Sequence, residues 1–290
     1  MVISVKAYAK INLFLDIEGI RDNGYHNILS LMQSVTLHDK IDVEYDAESD
    51  KDIEIICDND NIPCDRRNLA YKAAELILES GKVKITIEKS IPSEAGLAGG
   101  SADAAATLVG LNALLGNKYS KDELKALGAK IGADVPFCIE GGACIVEGIG
   151  EKTTPCRSMP DLPIVIARIG EGMSTPLAYG MLDERYHRFK DYAPNKEKLD
   201  MLLCNNDGMS VNDYCKGLFN IFESVVEPER PYVTQIKKIM IEKGACGAMM
   251  SGSGTSVFGI FENEFTARAA EVSLKEIGAL AYLCSPQKSN

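Results

Sequence analysis

Between Pro92 and Ala104 the chain reads Pro-Ser-Glu-Ala-Gly-Leu-Ala-Gly-Gly-Ser-Ala-Asp-Ala, a glycine-rich run that passes without a break into an alanine-rich amphipathic helix. Small residues let backbone amides crowd around a bulky anion, and the helix N-terminus adds roughly half a positive charge. The chemistry this suits is phosphate binding. Gly96, Gly99, Gly100 and the expected helix cap Ser101 fall close together; a glycine-rich connection with a good cap is the plainer alternative. A Walker loop needs a Lys and a Ser or Thr after its last glycine, and the dinucleotide fingerprint needs three glycines at other spacings. A third kind of nucleotide loop is therefore expected.

Four further clusters carry polar groups in telling places. In Ala7-Tyr8-Ala9-Lys10-Ile11-Asn12-Leu13, Lys10 and Asn12 lie two apart on an expected strand and share a face, which points either into a cleft or to solvent. In Arg21-Asp22-Asn23-Gly24-Tyr25-His26, the Asp-Asn-Gly turn places an aromatic ring and an imidazole at the start of the next strand, as a platform for a flat base or as an ordinary hairpin edge. In Gly132-Ala133-Asp134-Val135-Pro136-Phe137, a carboxylate is expected just past a helix C-terminus, before a proline that stops the helix. A general base and a turn-stabilising Asp both fit there. Finally, Met250-Ser251-Gly252-Ser253-Gly254-Thr255-Ser256 is a second Gly/Ser loop, able to donate amides to another phosphate or simply to bend tightly.

These clusters need elements to hold them. Strands are expected over 3–17, in two runs within 28–45, and over 82–88, giving an antiparallel N-terminal sheet. Helices are expected over 68–80 with a glycine stop at Gly81, over 101–115, and over 121–131 capped by Ser120. Alternate acidic residues from Asp42 to Glu54 fit a solvated strand face or a cation site. Strands over 143–146 and 164–169 flank a connector, 153–163, taken as a lobe boundary. Beyond it, helices at 176–182, 199–203, 212–226, 232–242 and 264–277 mix with strands at 247–250, 256–261 and 281–284. That order implies an α+β sandwich in each half. The charged segment 185–198 reads as a surface excursion.

Composition narrows the class. The 290 residues are 46% hydrophobic and carry a net charge of −11, which fits a two-lobed soluble protein and argues against a nucleic-acid surface. No apolar run reaches the ~20 residues of a spanning helix, and the start lacks the pattern of a signal peptide. A cytoplasmic location and no membrane partner are expected. Nine cysteines without a C-x-x-C pair, beside three histidines, indicate reduced, mostly buried thiols rather than a disulfide framework or zinc cluster.

Taken in order, the clusters resemble those of the GHMP kinase family across essentially the whole chain. The glycine segment is similar to that family's second motif, P-x-x-x-G-L-G/A-G-G-S-S/A-D-A-A, and Ser251 to Thr255 resembles its third. Ala9 to Leu13, Asp22 to His26, Gly132 to Phe137 and Glu147 to Glu151 resemble the branch that phosphorylates a cytidine diphosphate-linked methylerythritol in the non-mevalonate isoprenoid pathway. The resemblance implies an α+β, two-lobed GHMP kinase fold. Its ribosomal-protein-S5-like N-terminal lobe would span residues 1–158 and its ferredoxin-like C-terminal lobe residues 159–290, with ATP and substrate between them.

The same resemblance implies roles for single residues. Asp134 matches the catalytic base and Lys10 the partner that orients or acidifies the accepting hydroxyl. Asn68, Pro92, Gly96, Leu97, Ala98, Gly99, Gly100, Ser101 and Asp103 match ATP-binding positions, with Mg²⁺ bridging the phosphates and Ser101 as its protein contact. Tyr25 and Tyr179 match an aromatic pair that sandwiches cytosine, and Asn12 and His26 match polar substrate-binding positions. Ala98 stands where many relatives carry glycine, Tyr179 where phenylalanine also occurs, and no Glu is assigned to the metal. A monomer or weak homodimer is expected. Two other readings stay open: a GHMP kinase for homoserine, mevalonate or a sugar, which gives no reason for the Tyr25–His26 pair, and a nucleotide-binding sensor, which needs no Lys10 and Asp134.

Overall fold

The computed structural model describes residues 1–204 and 209–288. Its contacts form two compact units, each built from separated stretches: Met1–Ala9, Leu37–Ser93 and Ala98–Gly141 in the first, Lys10–Thr36, Glu94–Leu97 and Gly142–Asn290 in the second. Two long strands, β1 (Val2–Ile20) and β2 (His26–Asp46), contribute one end to each unit. The position 158/159 lies within the second unit's stretch Gly142–Asn290.

In the first unit β3 (Asp52–Cys57) runs parallel to β4 (Lys82–Glu88), which pairs antiparallel with the end of β2 from Lys40↔Glu88 to Asp46↔Lys82. The sheet is therefore mixed rather than purely antiparallel. The alternation Lys-Val-Lys-Ile-Thr-Ile-Glu in β4 buries Val83, Ile85 and Ile87 completely and turns the lysines outward. Each such buried side chain contributes roughly 1.5–3 kcal/mol. The acidic run is a solvated, ion-paired face: Lys82 meets Asp52 and Glu54 at 3.3 and 2.9 Å, and Lys84 meets Glu44 at 3.7 Å. Among the described residues no cluster of His, Cys, Asp and Glu is arranged to hold a metal.

Four helices cover this unit: α1 (Leu69–Ile77), α2 (Gly99–Leu114), α3 (Lys121–Gly128) and α4 (Val135–Glu140). α1 packs on α2, and α2 on α3 and α4. α3 starts as the sequence indicates, with a capping box between Ser120 and Glu123. α2 departs from expectation twice. It begins two residues early, at Gly99, after Ala98 adopts left-handed φ 58°, so Ser101 lies inside the first turn rather than capping it. Nor is it amphipathic, since Ala102 through Leu108 are all buried and the helix is enclosed nearly all round. Gly110 permits that closeness: a Cβ there would meet Val5 and Val43 at 3.1 and 3.2 Å.

The second unit contains β5 (Ala143–Gly148), β6 (Lys152–Cys156) and β7 (Ile164–Arg168), then α5 (Thr175–Arg185), α6 (Lys196–Leu203), α7 (Val211–Cys215), β8 (Phe219–Asn220), α8 (Glu223–Glu229), α9 (Pro231–Glu242), β9 (Ala245–Met250), β10 (Val257–Phe261), α10 (Glu264–Glu276) and β11 (Leu280–Cys284). β5 pairs antiparallel with β2 and with β6, and β8 pairs parallel with β1 through Phe14↔Phe219 and Leu15↔Asn220. That pairing breaks the helix expected over 212–226, because two residues are drawn into β1's ladder and Gly217 packs where a Cβ would strike Leu202 and the Lys198 carbonyl. A separate antiparallel sheet runs β11-β7-β10-β9 with α9 and α10 packed on it. In the chain order of its own strands this is 4-1-3-2, the ferredoxin-like arrangement.

The segment after α5 is more than an excursion. Its charged side chains face outward, but Phe189 is buried, and Tyr192 and Asn195 are tied to Asp16, which is fully buried on β1. Of the nine cysteines only Cys144, Cys215 and Cys284 are buried while Cys64 and Cys204 are exposed, since several sit in loops or at helix ends. Among the described residues no helix is long and apolar enough to cross a membrane.

Candidate active site

The glycine loop is fixed from beneath in the first unit by an ion triad. Lys89, at the end of β4, pairs with Asp39 of β2 and, at 2.9 Å, with Asp103 of α2, all three almost wholly buried. Asp39 Oδ1 also accepts the amides of Ser90 and Ile91 at 2.6 and 2.8 Å. This ties strand, loop and helix together. Burial pushes the Asp103 carboxyl up to about 7, against the pull of Lys89, and its Oδ1 is buried without a hydrogen-bond partner. The carboxylate matched to ATP thus faces Lys89. A Cβ on Gly99 would sit 3.1 Å from Ile91 and 3.4 Å from Lys89 Nζ, so glycine is the residue that fits above the triad.

The first amides of α2, those of Gly99, Gly100 and Ser101, lack partners within the helix and gather at its positive end. Asn68 opens α1 as expected, but its side chain is engaged locally: Oδ1 accepts the Ala70 amide at 2.9 Å and Nδ2 donates to the Pro63 carbonyl at 2.8 Å. Asp134 is placed differently from the sequence expectation. Pro136 lies in the first turn of α4, where its missing N–H costs nothing, so Asp134 immediately precedes a helix instead of trailing one, and its side chain makes no cap bond. Its turn adjoins the start of α2: a Cβ on Gly132 would lie 3.6 Å from Ser101 Oγ, and Gly100 and Gly132 both approach Leu69.

In the second unit Lys10 and Asn12 do share a face of β1, and it is a buried one, with exposures of 4% and 1%. Lys10 Nζ donates to Asn12 Oδ1 at 2.7 Å, Asn12 Nδ2 donates to Ser30 Oγ at 2.8 Å, and the Lys10 amide donates to the Leu97 carbonyl at 3.1 Å. Ser251 Oγ donates to the Gly96 carbonyl at 3.0 Å and accepts the Asn12 amide at 3.3 Å. The Gly/Ser loop therefore holds the first arm of the glycine loop against the strand that carries Lys10. It binds backbone in the way a tight bend does; the alternative of a second phosphate is not needed to explain it.

Asn220 was not singled out by the sequence, which placed it inside the helix expected over 212–226. Its Nδ2 donates to the carbonyls of Met250 and Gly252 at 2.7 and 2.9 Å, and its Oδ1 accepts the Phe222 amide at 3.0 Å. Asn220→Ala leaves buried carbonyls unsatisfied, so a loss of about 1–3 kcal/mol of stability is expected, with a raised KM for ATP as the Ser251 loop slackens. Denaturant melts and steady-state kinetics check this; an unchanged midpoint would contradict it.

Of the expected aromatic pair, Tyr179 on α5 lies against the His26 ring, with centroids 4.6 Å apart, whereas Tyr25 is 59% exposed. The turn before β2 forms as expected, closed by bonds from the Arg21 amide to the Tyr25 carbonyl and from the Gly24 amide to the Arg21 carbonyl.

Residues 68–142 match the model of the GHMP kinases N terminal domain, and residues 202–280 that of the GHMP kinases C terminal domain. A 4-diphosphocytidyl-2-C-methyl-D-erythritol kinase of Caldicellulosiruptor saccharolyticus is 44% identical over 275 residues, covering 93% of this chain and 92% of that one. A crystal structure of 4-(cytidine 5'-diphospho)-2C-methyl-D-erythritol kinase superposes with TM-score 0.81 at 31% identity, covering 99% of this chain and all of that one. The Methanococcus jannaschii mevalonate kinase, at TM-score 0.75, 15% identity and coverage of 99% of this chain and 98% of that one, shares the fold. With two family models matched in order, and a relative this similar over nearly its full length, the chain belongs to the GHMP kinase family.

Proposed function

We propose that this kinase transfers the γ-phosphoryl group of ATP to the 2-hydroxyl of 4-diphosphocytidyl-2-C-methyl-D-erythritol, a step of the non-mevalonate isoprenoid route. The observation that carries a catalytic reading, as against a nucleotide sensor, is the buried Lys10–Asn12 pair bonded through Ser251 to the glycine loop. A sensor has no use for a desolvated ammonium beside its phosphate loop. The 44% identical relative, named for this substrate, supports the choice of acceptor.

The chain's own groups supply alignment and charge. Amides from Gly96 to Ser101 hold the phosphates, Lys10 lowers the pKa of the accepting hydroxyl, and Asp134 takes its proton as the bond to phosphorus forms. Ser101, in the first turn of α2, is the residue that would hold Mg²⁺, through its hydroxyl. When bound, that ion neutralises charge developing on the phosphates. Tyr25 and Tyr179 flank the base, Asn12 and His26 meet polar groups of the substrate, and a monomer or weak homodimer in solution completes the reading.

ATP consumption by the purified protein tests it. Turnover is expected with the cytidylylated methylerythritol and not with methylerythritol phosphate, mevalonate or homoserine. Comparable turnover on mevalonate or homoserine would assign the chain to another branch.

A further inference from the structure

We propose that Asp183 is a positioning residue that fixes which ring nitrogen of His26 carries the proton, and that it thereby makes the base site select a pyrimidine offering an amino group. This rests on the cytidine-linked acceptor proposed above.

Tyr179 and Asp183 lie four residues apart on α5 and so present to one side of the helix. They hold the same imidazole in two ways. The Tyr179 ring lies over it, tilted by 32°, and Asp183 Oδ1 is 2.8 Å from Nε2. Phe189 closes the edge of the ring at 5.7 Å in a T-shaped contact. Phe189 reaches that position through a turn in which His187, Arg188 and Phe189 take φ of 47°, 56° and 60°, a strained run for residues with side chains. The turn is anchored downstream by the Tyr192 hydroxyl and the Asn195 amide, donating to the buried Asp16 carboxylate at 2.6 and 2.8 Å. Arg188 in turn stands 3.7 Å from Asp183 Oδ2. His26 is left with 9% side-chain exposure and little freedom to flip.

The consequence follows from hydrogen-bond chemistry. An ionised carboxylate only accepts, so Nε2 must be the nitrogen that bears hydrogen; in a neutral imidazole Nδ1 then keeps its lone pair and can only accept. An acceptor at that point suits the amino group of cytosine. It opposes the carbonyl that uracil carries at the same place on a nearly identical outline, leaving two acceptors face to face. A carboxylate that acts on the imidazole alone would thus be read out as base selectivity.

The test labels the three histidines, His26, His38 and His187, with ¹⁵N and reads their tautomers by NMR at pH 8, where an ordinary imidazole is neutral. The His26→Gln spectrum identifies the signals. Wild type is expected to show His26 protonated at Nε2, and Asp183→Ala to show a mixture of tautomers. In steady-state kinetics Asp183→Ala is expected to reduce the preference for the cytidine-linked over the uridine-linked acceptor by about tenfold, through KM rather than kcat, with KM for ATP unchanged. Asp183 is 23% exposed, and equal melting temperatures would exclude a folding defect. A His26 protonated at Nδ1 in wild type, or an unchanged preference in Asp183→Ala, overturns the proposal. Wild type with the Nε2 tautomer but no turnover of the cytidine-linked acceptor overturns the substrate reading and with it the selectivity, while the Asp183–His26 geometry stands.

Discussion

With Asp134 replaced by Asn, kcat is expected to fall by about 10²- to 10⁴-fold, the range over which a positioned general base acts, while ATP binds nearly as before. The residue follows by two positions Gly132, where a Cβ would lie 3.6 Å from Ser101 Oγ at the start of α2. Its side chain makes no cap bond to α4, so the substitution breaks no such bond. Asn keeps the shape and loses the ability to accept a proton. Nucleotide titration beside a coupled turnover assay separates the two effects. A variant retaining more than a tenth of wild-type kcat would remove Asp134 from the role of base.

Gly96→Ala is expected to damage both the fold and nucleotide binding, whereas Gly100→Ala is expected to leave the fold intact. Gly96 holds φ +73°, and a Cβ there would overlap the carbonyl oxygen of Ser251 and come within 3.3 Å of the Gly254 amide nitrogen. Both obstacles are backbone, so neither can swing aside. Left-handed strain alone costs of order 1–3 kcal/mol, and separating the two loops breaks the bond from Ser251 Oγ to the Gly96 carbonyl. A total near 3 kcal/mol or above is expected, with KM for ATP raised at least tenfold because the first arm of the cradle moves. At Gly100 the nearest atom to a Cβ is Leu69 Cδ1 at 3.7 Å, an ordinary contact, and alanine favours a helix by roughly 0.5–1 kcal/mol. Denaturant melts of the two variants compare them directly; equal destabilisation at both sites would contradict the account of the loop.

Much of this was legible in the chain because local pattern and tertiary demand agree. β4 alternates and is buried on one side, α3 carries its own capping box, and the β7–β11 half reads as strands and helices in the order that builds its sheet. The misplacements arise where a long-range partner decides. Phe219 and Asn220 leave a helical pattern because β1 pairs with them. α2 starts early because Ala98 accepts a left-handed backbone that its side chain disfavours, and two glycines then serve as helix. Pro136 looked like a terminator and is instead a first-turn residue, which moved Asp134 to the opposite end of a helix.

The chemistry of the site was partly legible for the same reason. Lys10 and Asn12 two apart on a strand must share a face, but only packing shows that face to be buried. Asp103 lies inside a nucleotide motif, and its engagement with Lys89 and Asp39 depends on strands meeting from either side of the loop. The His26 ring that Asp183 holds is 157 residues away, and the Met250 and Gly252 carbonyls that Asn220 holds are about 30 residues away, so neither contact leaves a local pattern.

The most direct test of the central claim is a crystal structure of the protein with a non-hydrolysable ATP analogue and the cytidylylated methylerythritol. The account predicts the triphosphate on the amides of residues 96–101, and the 2-hydroxyl within roughly 2.6–3.2 Å of the Asp134 carboxylate, with Lys10 Nζ on the same oxygen. A triphosphate bound elsewhere, or an acceptor hydroxyl out of reach of Asp134, would contradict it.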